Sequence, residues 1–197
     1  MNIAIIKYNA GNVQSVQYAL QRLGIDAIVT DDYSAIRNAD KVIFPGVGNA
    51  FSAMESLKEK KLDVLIKQLT QPVLGICVGM QLLCSHSEEN NTEGLRIVNL
   101  EVKKFVAEND VFKIPQMGWN TIFNLSSPLF EGLRKDAFVY YVHSYYAEQG
   151  DETIATTDYI LPYSAAIQKD NFYGVQFHTE KSAEVGDQIL LNFLNLK

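Results

Sequence analysis

The feature that most constrains the fold is the alternation of short apolar runs with helix-period segments in the first half of the chain. Apolar runs predict strands at residues 2–7, 25–30, 41–44 and 72–76. Helical spacing predicts helices from Val13 to a stop at Gly24, over residues 50–69 and over residues 78–85, with a turn at Gly11-Asn12 before the first of them. Such alternation favours right-handed crossovers and a parallel sheet that carries helices on both faces.

The second half of the chain is richer in strands. Strand-like runs follow at residues 97–105, 119–123, 137–142, 153–157, 165–168 and 173–177. The final segment returns to helix, because its apolar residues share one helical face: Val185, Ile189, Leu190 and Phe193. The sequence therefore predicts an α/β class fold with a strand-rich second half.

Composition narrows the class of protein. The 197 residues are 47% hydrophobic and 20% charged, which predicts a single globular domain over residues 1–197. Since 17 basic and 23 acidic residues give a net charge of −6, nucleic acid is not an expected partner. Apolar runs stay below the roughly 18–20 residues of a membrane span, and the amino terminus lacks the pattern of a secretory signal. Two cysteines make no disulfide framework, so a cytoplasmic protein is expected.

Cys77 stands at the junction of a predicted strand and a predicted helix, in Gly75-Ile76-Cys77-Val78-Gly79. This is the Gly-x-nucleophile-x-Gly elbow with cysteine in the place of serine. The sharp turn brings backbone segments too close for a Cβ at the two glycines, and the following helix N-terminus favours a thiolate. The alternative is a buried cysteine that only packs between glycines.

A cysteine nucleophile needs a base, and His178 is the best of three histidines. It ends a predicted strand, and Glu180, two residues on, would project to the same side and orient the imidazole. The alternative is a salt-bridged surface pair at a strand end.

Other polar residues gave weaker signals. Gly46-Val47-Gly48 ends a strand and could bring a backbone donor to the site, but Phe51 stands where a dinucleotide fingerprint has its third glycine. Cys84 is expected to pack in the core and His143, by itself, to pack in a strand. The pair Glu88-Glu89 is expected to form a solvated loop, and no metal site is predicted.

Five motifs in order resemble the class I (triad) glutamine amidotransferases. They are Pro-Gly-Val-Gly (45–48), Gly-Ile-Cys-x-Gly-Met-Gln (75–81), Met-Gly-Trp-Asn (117–120), Val-His-Ser-Tyr (142–145) and Gln-Phe-His-x-Glu-Lys-Ser (176–182). The third and fourth are similar to those of the glutaminase subunits of imidazole glycerol phosphate synthases, and the resemblance extends from Tyr8 to Ser182. It implies a three-layer, flavodoxin-like fold.

The resemblance also implies roles for residues of this chain. Cys77 would attack the side-chain amide carbon of L-glutamine, His178 would carry the proton to the departing ammonia, and Glu180 would hold His178. The backbone amides of Val78 and of Val47 or Gly48 would form the oxyanion hole. The residues implied for binding glutamine are Gly48, Gln81, His143, Ser144 and Tyr145. No cofactor is implied.

The same resemblance implies a partner. It is a (β/α)8-barrel cyclase, which would receive the ammonia in a heterodimer and make imidazole glycerol phosphate in histidine biosynthesis. The positions implied for this contact are Asn12, Trp119, Tyr140 and Lys181. For Trp119 the alternative is a core position.

Two residues depart from the family pattern. Gln116 replaces a usual histidine, and Thr179 replaces a usual proline between the catalytic histidine and glutamate. Without proline the φ constraint is lost, so a looser His178–Glu180 geometry is expected. These departures keep open a paralogous subunit that feeds a different synthase. A separate alternative, based on the cysteine elbow, is a thiol hydrolase on a similar fold.

Overall fold

The computed structural model describes residues 1–9, 12–107 and 111–196. The turn predicted at Gly11-Asn12 falls partly outside these residues, because Gly11 is not among them. The helices are α1 (Val13–Arg22), α2 (Tyr33–Arg37), α3 (Ala50–Glu59), α4 (Leu62–Lys67), α5 (Val78–Leu83) and α6 (Ala183–Asn195). The strands are β1 (Ile3–Ile6), β2 (Ala27–Thr30), β3 (Lys41–Gly46), β4 (Val73–Cys77), β5 (His86–Ser87), β6 (Thr92–Glu93), β7 (Glu101–Lys104), β8 (Gln116–Ile122), β9 (Ala137–His143), β10 (Tyr145–Ala147), β11 (Thr153–Tyr159), β12 (Leu161–Lys169) and β13 (Phe172–Val175).

A seven-stranded sheet in the order β11-β12-β13-β4-β3-β1-β2 forms the centre of the molecule. Neighbouring strands from β13 to β2 pair in parallel, and β12 and β11 add an antiparallel edge. The strands β1, β3 and β4 are wholly buried, as expected for a sheet covered on both faces. The predicted mostly parallel sheet is therefore confirmed.

The helices form two groups. Arg22 of α1 is paired with Asp187 of α6, whereas Arg37 of α2 bonds to Gln68 at the end of α4. A right-handed crossover from β1 to β2 and another from β2 back to β3 run in opposite directions along the sheet, so α1 and α2 lie on opposite faces. The result is three layers, with α1 and α6 on one face and the helices between β2 and β4 on the other.

Two smaller sheets lie beside the main one. One has the order β10-β7-β5-β6, and the other is the antiparallel pair of β8 and β9. In that pair Trp119 stands opposite Tyr140. Most of the strand-rich second half enters these sheets and the antiparallel edge.

The predicted single helix over residues 50–69 is wrong, because the chain forms two helices. Lys61 breaks them with φ 54°, and the buried Leu57 and Leu62 are five residues apart. Five residues turn a continuous helix by about 140° beyond a full turn, so the buried face of α4 is out of phase with that of α3. The sequence analysis also missed α2, β5, β6 and β10, which are five residues or shorter.

Candidate active site

The elbow at Cys77 has the geometry that its sequence predicts. Cys77 adopts φ 55° and ψ −111° between β4 and α5. A Cβ on Gly79 would lie 1.9 Å from the carbonyl oxygen of Phe44, and one on Gly75 would lie 2.8 Å from the amide nitrogen of Met80. Both glycines are therefore required by close backbone approach, and the strained turn presents the thiol at the carboxyl end of the parallel strands.

His178 and Glu180 are in contact. Nδ1 of His178 lies 2.8 Å from Oε1 of Glu180, and both side chains are buried. The prediction that both residues share one face of an extended strand is wrong. Strand β13 ends at Val175, and residues Thr179–Lys181 form a 3-10 turn. Since β13 pairs with β4, this turn stands beside the elbow.

The protonation of His178 reflects its two neighbours. Burial lowers the pKa of His178, but hydrogen bonds that it donates to Cys77 and Glu180, together with the charges of both groups, outweigh this effect and raise the pKa to about 10. Both neighbours therefore favour the protonated imidazole, whose Nδ1 faces the carboxylate of Glu180. This is the charge arrangement that a thiolate nucleophile needs.

A cavity of about 590 Å³ opens over Cys77. Besides Cys77 and His178, it is lined by all the residues predicted for the oxyanion hole and for glutamine: Val47, Gly48, Val78, Gln81, His143, Ser144 and Tyr145. Gly48 has φ 91°, a conformation that favours glycine. The structure thus gathers four separated motifs around one space.

His143 is a buried member of this cavity. Burial lowers the pKa of His143 to about 4, and the charge of His178 adds to this decrease. The hydrogen bond to the Tyr145 carbonyl has the opposite effect but is weaker. Nδ1 of His143 lies 2.7 Å from the carbonyl oxygen of Tyr145 and its Nε2 lies 3.2 Å from the hydroxyl of Tyr163. The neutral ring therefore fixes the backbone from residue 143 to 145, and it is also the packed strand histidine that the sequence predicts.

The four residues predicted for a partner contact fall in two places. Asn12 and Lys181 line the cavity, and the amide of Asn12 donates a hydrogen bond to Oε1 of Glu180. Trp119 is 53% exposed and its ring packs edge-on against Tyr140 at 5.8 Å. Trp119 is thus a surface residue, and its alternative as a core residue is wrong.

Gln116 and Thr179, which depart from the family pattern, do not disturb the contact between His178 and Glu180. Gln116 is buried on β8, where its Oε1 lies 2.9 Å from the hydroxyl of Tyr163. The turn after His178 is held by hydrogen bonds to the His178 carbonyl from Lys181 N, at 3.1 Å, and from the Ser182 hydroxyl, at 2.6 Å. These bonds fix the turn without a proline, and the expected loosening of the His178–Glu180 contact is not seen.

Sequence reasoning missed Glu89. The prediction of a solvated loop holds for Glu88, which is exposed, but is wrong for Glu89, which lines the cavity and accepts a hydrogen bond from Ala50 N at the start of α3, at 2.6 Å. Glu88 accepts from Lys104 N at 2.7 Å. The partners are 39 and 16 residues away, so no local pattern could reveal them.

Two further findings concern the part of the chain that the structure describes. It contains no group of three or more His, Cys, Asp or Glu side chains placed to hold a metal ion. None of its helices has the length and apolar character needed to cross a membrane. Cys84 is buried and free, as predicted.

Comparison with known proteins agrees with this site. The family model described as "Glutamine amidotransferase class-I" matches residues 4–196. A structure of a "putative gmp synthase subunit a protein" from Thermoplasma acidophilum covers 98% of this chain and 92% of its own, with a TM-score of 0.75 and 21% identity. The structure of "PurLQS" from Thermotoga maritima aligns with 98% of this chain over 97% of its own length, with a TM-score of 0.70 and 14% identity. These two structures show a shared fold. The chain belongs to the class I glutamine amidotransferases.

Closer relatives define the branch of this family. "Imidazole glycerol phosphate synthase subunit HisH" of Bacteroides fragilis is 57% identical over 196 residues, with 100% of both chains covered. The proteins of the same name from Bacteroides thetaiotaomicron and Pasteurella multocida are 55% and 43% identical, over all of this chain. The chain is thus an enzyme, a glutaminase subunit of imidazole glycerol phosphate synthase, and it serves histidine biosynthesis.

Proposed function

We propose that Cys77, His178 and Glu180 are the catalytic residues of this glutaminase. The observation that carries the proposal is their arrangement: Cys77 and His178 line one cavity, and Nδ1 of His178 lies 2.8 Å from Oε1 of the buried Glu180. The Cys77 thiolate attacks the carboxamide carbon of L-glutamine, and the C–N bond breaks as His178 gives its proton to the departing ammonia. Water then hydrolyses the glutamyl thioester to glutamate.

The oxyanion formed in each step needs donors. The amides of Val78 and of Val47 or Gly48 are proposed for this role, since all three residues line the cavity next to Cys77. One missing donor reduces the rate by about 10²–10³. A change in the peptide at Val47 would therefore be sufficient to turn the glutaminase on or off.

The ends of glutamine are distinguished by charge. Glu89 lies on the cavity wall and suits the α-ammonium group of the substrate. The backbone from His143 to Tyr145, fixed by the neutral His143 ring, and the side chain of Gln81 are proposed to hold the rest of the amino-acid end. Gly48, which also lines the cavity, completes this set.

The partner is proposed to be the (β/α)8-barrel cyclase subunit, HisF, in a heterodimer. One face of the β8–β9 pair exposes Met117, Trp119 and Phe138, and aromatic residues of this kind anchor interfaces. Lys181 and Asn12 stand at the adjacent cavity, so ammonia would leave Cys77 directly into the interface. Residues 1–197 are proposed to act as one domain, because the main sheet places β13 next to β4.

The test is a coupled assay. Glutamate release is measured with and without HisF and its nucleotide ligand, for the wild type and for Cys77→Ala. Release that depends on HisF and disappears in Cys77→Ala supports the proposal; release that survives Cys77→Ala rejects it.

The proposed partner surface has its own test and a matched control. Trp119→Ala is expected to weaken HisF binding at least tenfold, as an aromatic anchor does. Ile28→Ala on the edge strand β2, where the side chain is also 53% exposed, is expected to leave binding unchanged. Equal affinities in the two variants would place the interface elsewhere.

A further inference from the structure

Gln176 is a fully buried polar residue next to the nucleophile. It lies between the end of β13 and His178, with 0% of its surface exposed. Its Nε2 lies 3.7 Å from Sγ of Cys77, and its Oε1 accepts a hydrogen bond of 2.9 Å from Nε2 of Gln81. The side chain thus joins the nucleophile to a residue of the glutamine-binding wall.

The orientation of both amides follows from one backbone carbonyl. Nε2 of Gln81 lies 2.9 Å from the carbonyl oxygen of Tyr145, which can only accept. The atom of Gln81 at this position is therefore nitrogen, and its second hydrogen goes to Oε1 of Gln176. The atom of Gln176 that faces Cys77 must then be the donor Nε2.

This donor has a direct effect on the nucleophile. An N–H aimed at the sulfur stabilises the thiolate more than the thiol. A second neighbour of the sulfur is the Val142 carbonyl oxygen, at 3.9 Å, which accepts from the thiol and so favours the protonated form. Gln176 therefore acts against the Val142 carbonyl and restrains the position of Sγ.

The same side chain also orders the binding wall. Because Gln81 gives both amide hydrogens of Nε2 to Tyr145 and Gln176, its remaining polar atom is the acceptor Oε1. A bound glutamine would thus meet an acceptor at Gln81, and Gln176 supports this orientation by accepting the second hydrogen of Nε2.

We propose that Gln176 is a positioning residue, which donates to the Cys77 thiolate and at the same time fixes the amide of Gln81 toward the substrate. The inference rests on the proposed function of Cys77 and assigns a further residue to that site. It requires two separable effects, one on the nucleophile through Nε2 and one on substrate binding through Oε1.

Two variants separate these effects. Gln176→Glu keeps an oxygen for Gln81 but places a carboxylate, without a donor, beside the sulfur. It is expected to lower kcat at least tenfold and to change KM less than about threefold, since one charge-assisted hydrogen bond is lost. Gln176→Met has a similar length, is neutral, and loses both bonds, so it is expected to lower kcat and also to raise KM.

The second readout is the alkylation of Cys77 by iodoacetamide as a function of pH, in the full chain. Cys84 is buried and free, and its pKa is raised by burial, so Cys77 is the reactive thiol. The midpoint of the alkylation rate is expected to move up by about one pH unit in both variants. The other titratable groups near Cys77 are unchanged: His178 and Tyr8 and, on the cavity wall, Glu89, His143, Tyr145 and Lys181.

Ser164→Ala serves as the control for loss of a buried polar group. Ser164 lies on β12, next to β13, is fully buried and bonds to the Glu148 carbonyl. It is expected to keep the wild-type kcat and alkylation midpoint. If Gln176→Glu does not fold, the kcat and the alkylation midpoint of Gln176→Met alone decide whether the proposal holds.

The outcomes are distinct. A folded Gln176 variant with wild-type kcat and alkylation midpoint overturns the role of Gln176, whereas glutaminase activity that survives Cys77→Ala overturns the proposed catalytic site itself. A loss of kcat with an unmoved alkylation midpoint also overturns the inference, because it shows a structural effect that bypasses the sulfur.

Discussion

The side-chain amide of Asn12 donates a hydrogen bond to Oε1 of Glu180, which is the same oxygen that contacts Nδ1 of His178. Asn12 adopts φ 61° immediately before α1, a conformation that asparagine tolerates well. The second carboxylate oxygen, Oε2, is buried without a partner among the described residues. The orientation of Glu180 therefore depends on Asn12 as well as on His178.

This contact predicts the effect of Asn12→Ala. Without the donor, Glu180 loses a charge-assisted hydrogen bond and holds His178 less firmly, so kcat for glutamine is expected to fall about tenfold. The measurement is glutamate release at saturating HisF, which separates catalysis from binding. If Asn12 serves only the interface, the fall disappears at saturation and only the affinity for HisF changes.

The position of Glu89 predicts a change in substrate binding. Glu89→Gln removes the charge proposed to meet the α-ammonium group but keeps an oxygen for Ala50 N, so α3 retains its contact. KM for glutamine is expected to rise at least tenfold, the range of about 1.5–3 kcal/mol for a hydrogen bond to a charged group. Steady-state kinetics of the complex measure it, and Glu88→Gln, which changes the neighbouring exposed carboxylate, should leave KM unchanged.

The low pKa of His143 predicts a pH dependence of stability. His143 has a pKa of about 4 in the folded state and about 6.5 when unfolded. Between these values the unfolded chain binds the extra proton, so stability falls as the pH decreases from about 6.5 to about 4. At pH 4.5 the contribution amounts to about 2–3 kcal/mol.

The measurement compares urea unfolding at pH 7 and pH 4.5 for the wild type and His143→Gln. The wild type is expected to lose about 2–3 kcal/mol more than the variant over this interval. Equal losses would mean that His143 titrates in the folded state as freely as in the unfolded one.

Much of this site could be predicted from the sequence because its chemistry lies in short motifs at strand ends. The glycines around Cys77 mark a backbone that cannot accept a Cβ, and parallel strands bring their carboxyl ends to one edge. Gln176 could also have been suspected, since Gln176 and His178 flank the buried Phe177.

The rest depends on contacts between distant segments. The bond from Glu89 to Ala50 N spans 39 residues and the one from Asn12 to Glu180 spans 168, and neither leaves a local pattern. The break between α3 and α4 was missed for a different reason. The buried residues change their helical phase between Leu57 and Leu62. A search for apolar spacing does not detect this change and joins the two segments into one helix.

Thr179 offers a substitution that should stabilise the protein. Its side chain is fully buried and its Oγ1 has no hydrogen-bond partner among the described residues. Thr179 is the first residue of the turn after His178, and the backbone hydrogen bonds of that turn come from Lys181 N and Ser182 N. His178 has φ −88° and ψ 102°, an extended conformation that is compatible with a following proline.

Thr179→Pro is therefore expected to raise the free energy of unfolding by about 1–2 kcal/mol. Proline suits the first position of a helical turn, restricts the unfolded chain and removes the unpaired hydroxyl. Urea unfolding at pH 7 measures the change. Thr179→Val, which removes only the hydroxyl, should give a smaller increase in stability. In Thr179→Pro, kcat should stay within about twofold of the wild type, because the His178–Glu180 contact is already held by the bonds to the His178 carbonyl. A Thr179→Pro variant less stable than the wild type would show that the turn uses the Thr179 N–H or cannot accept the ring.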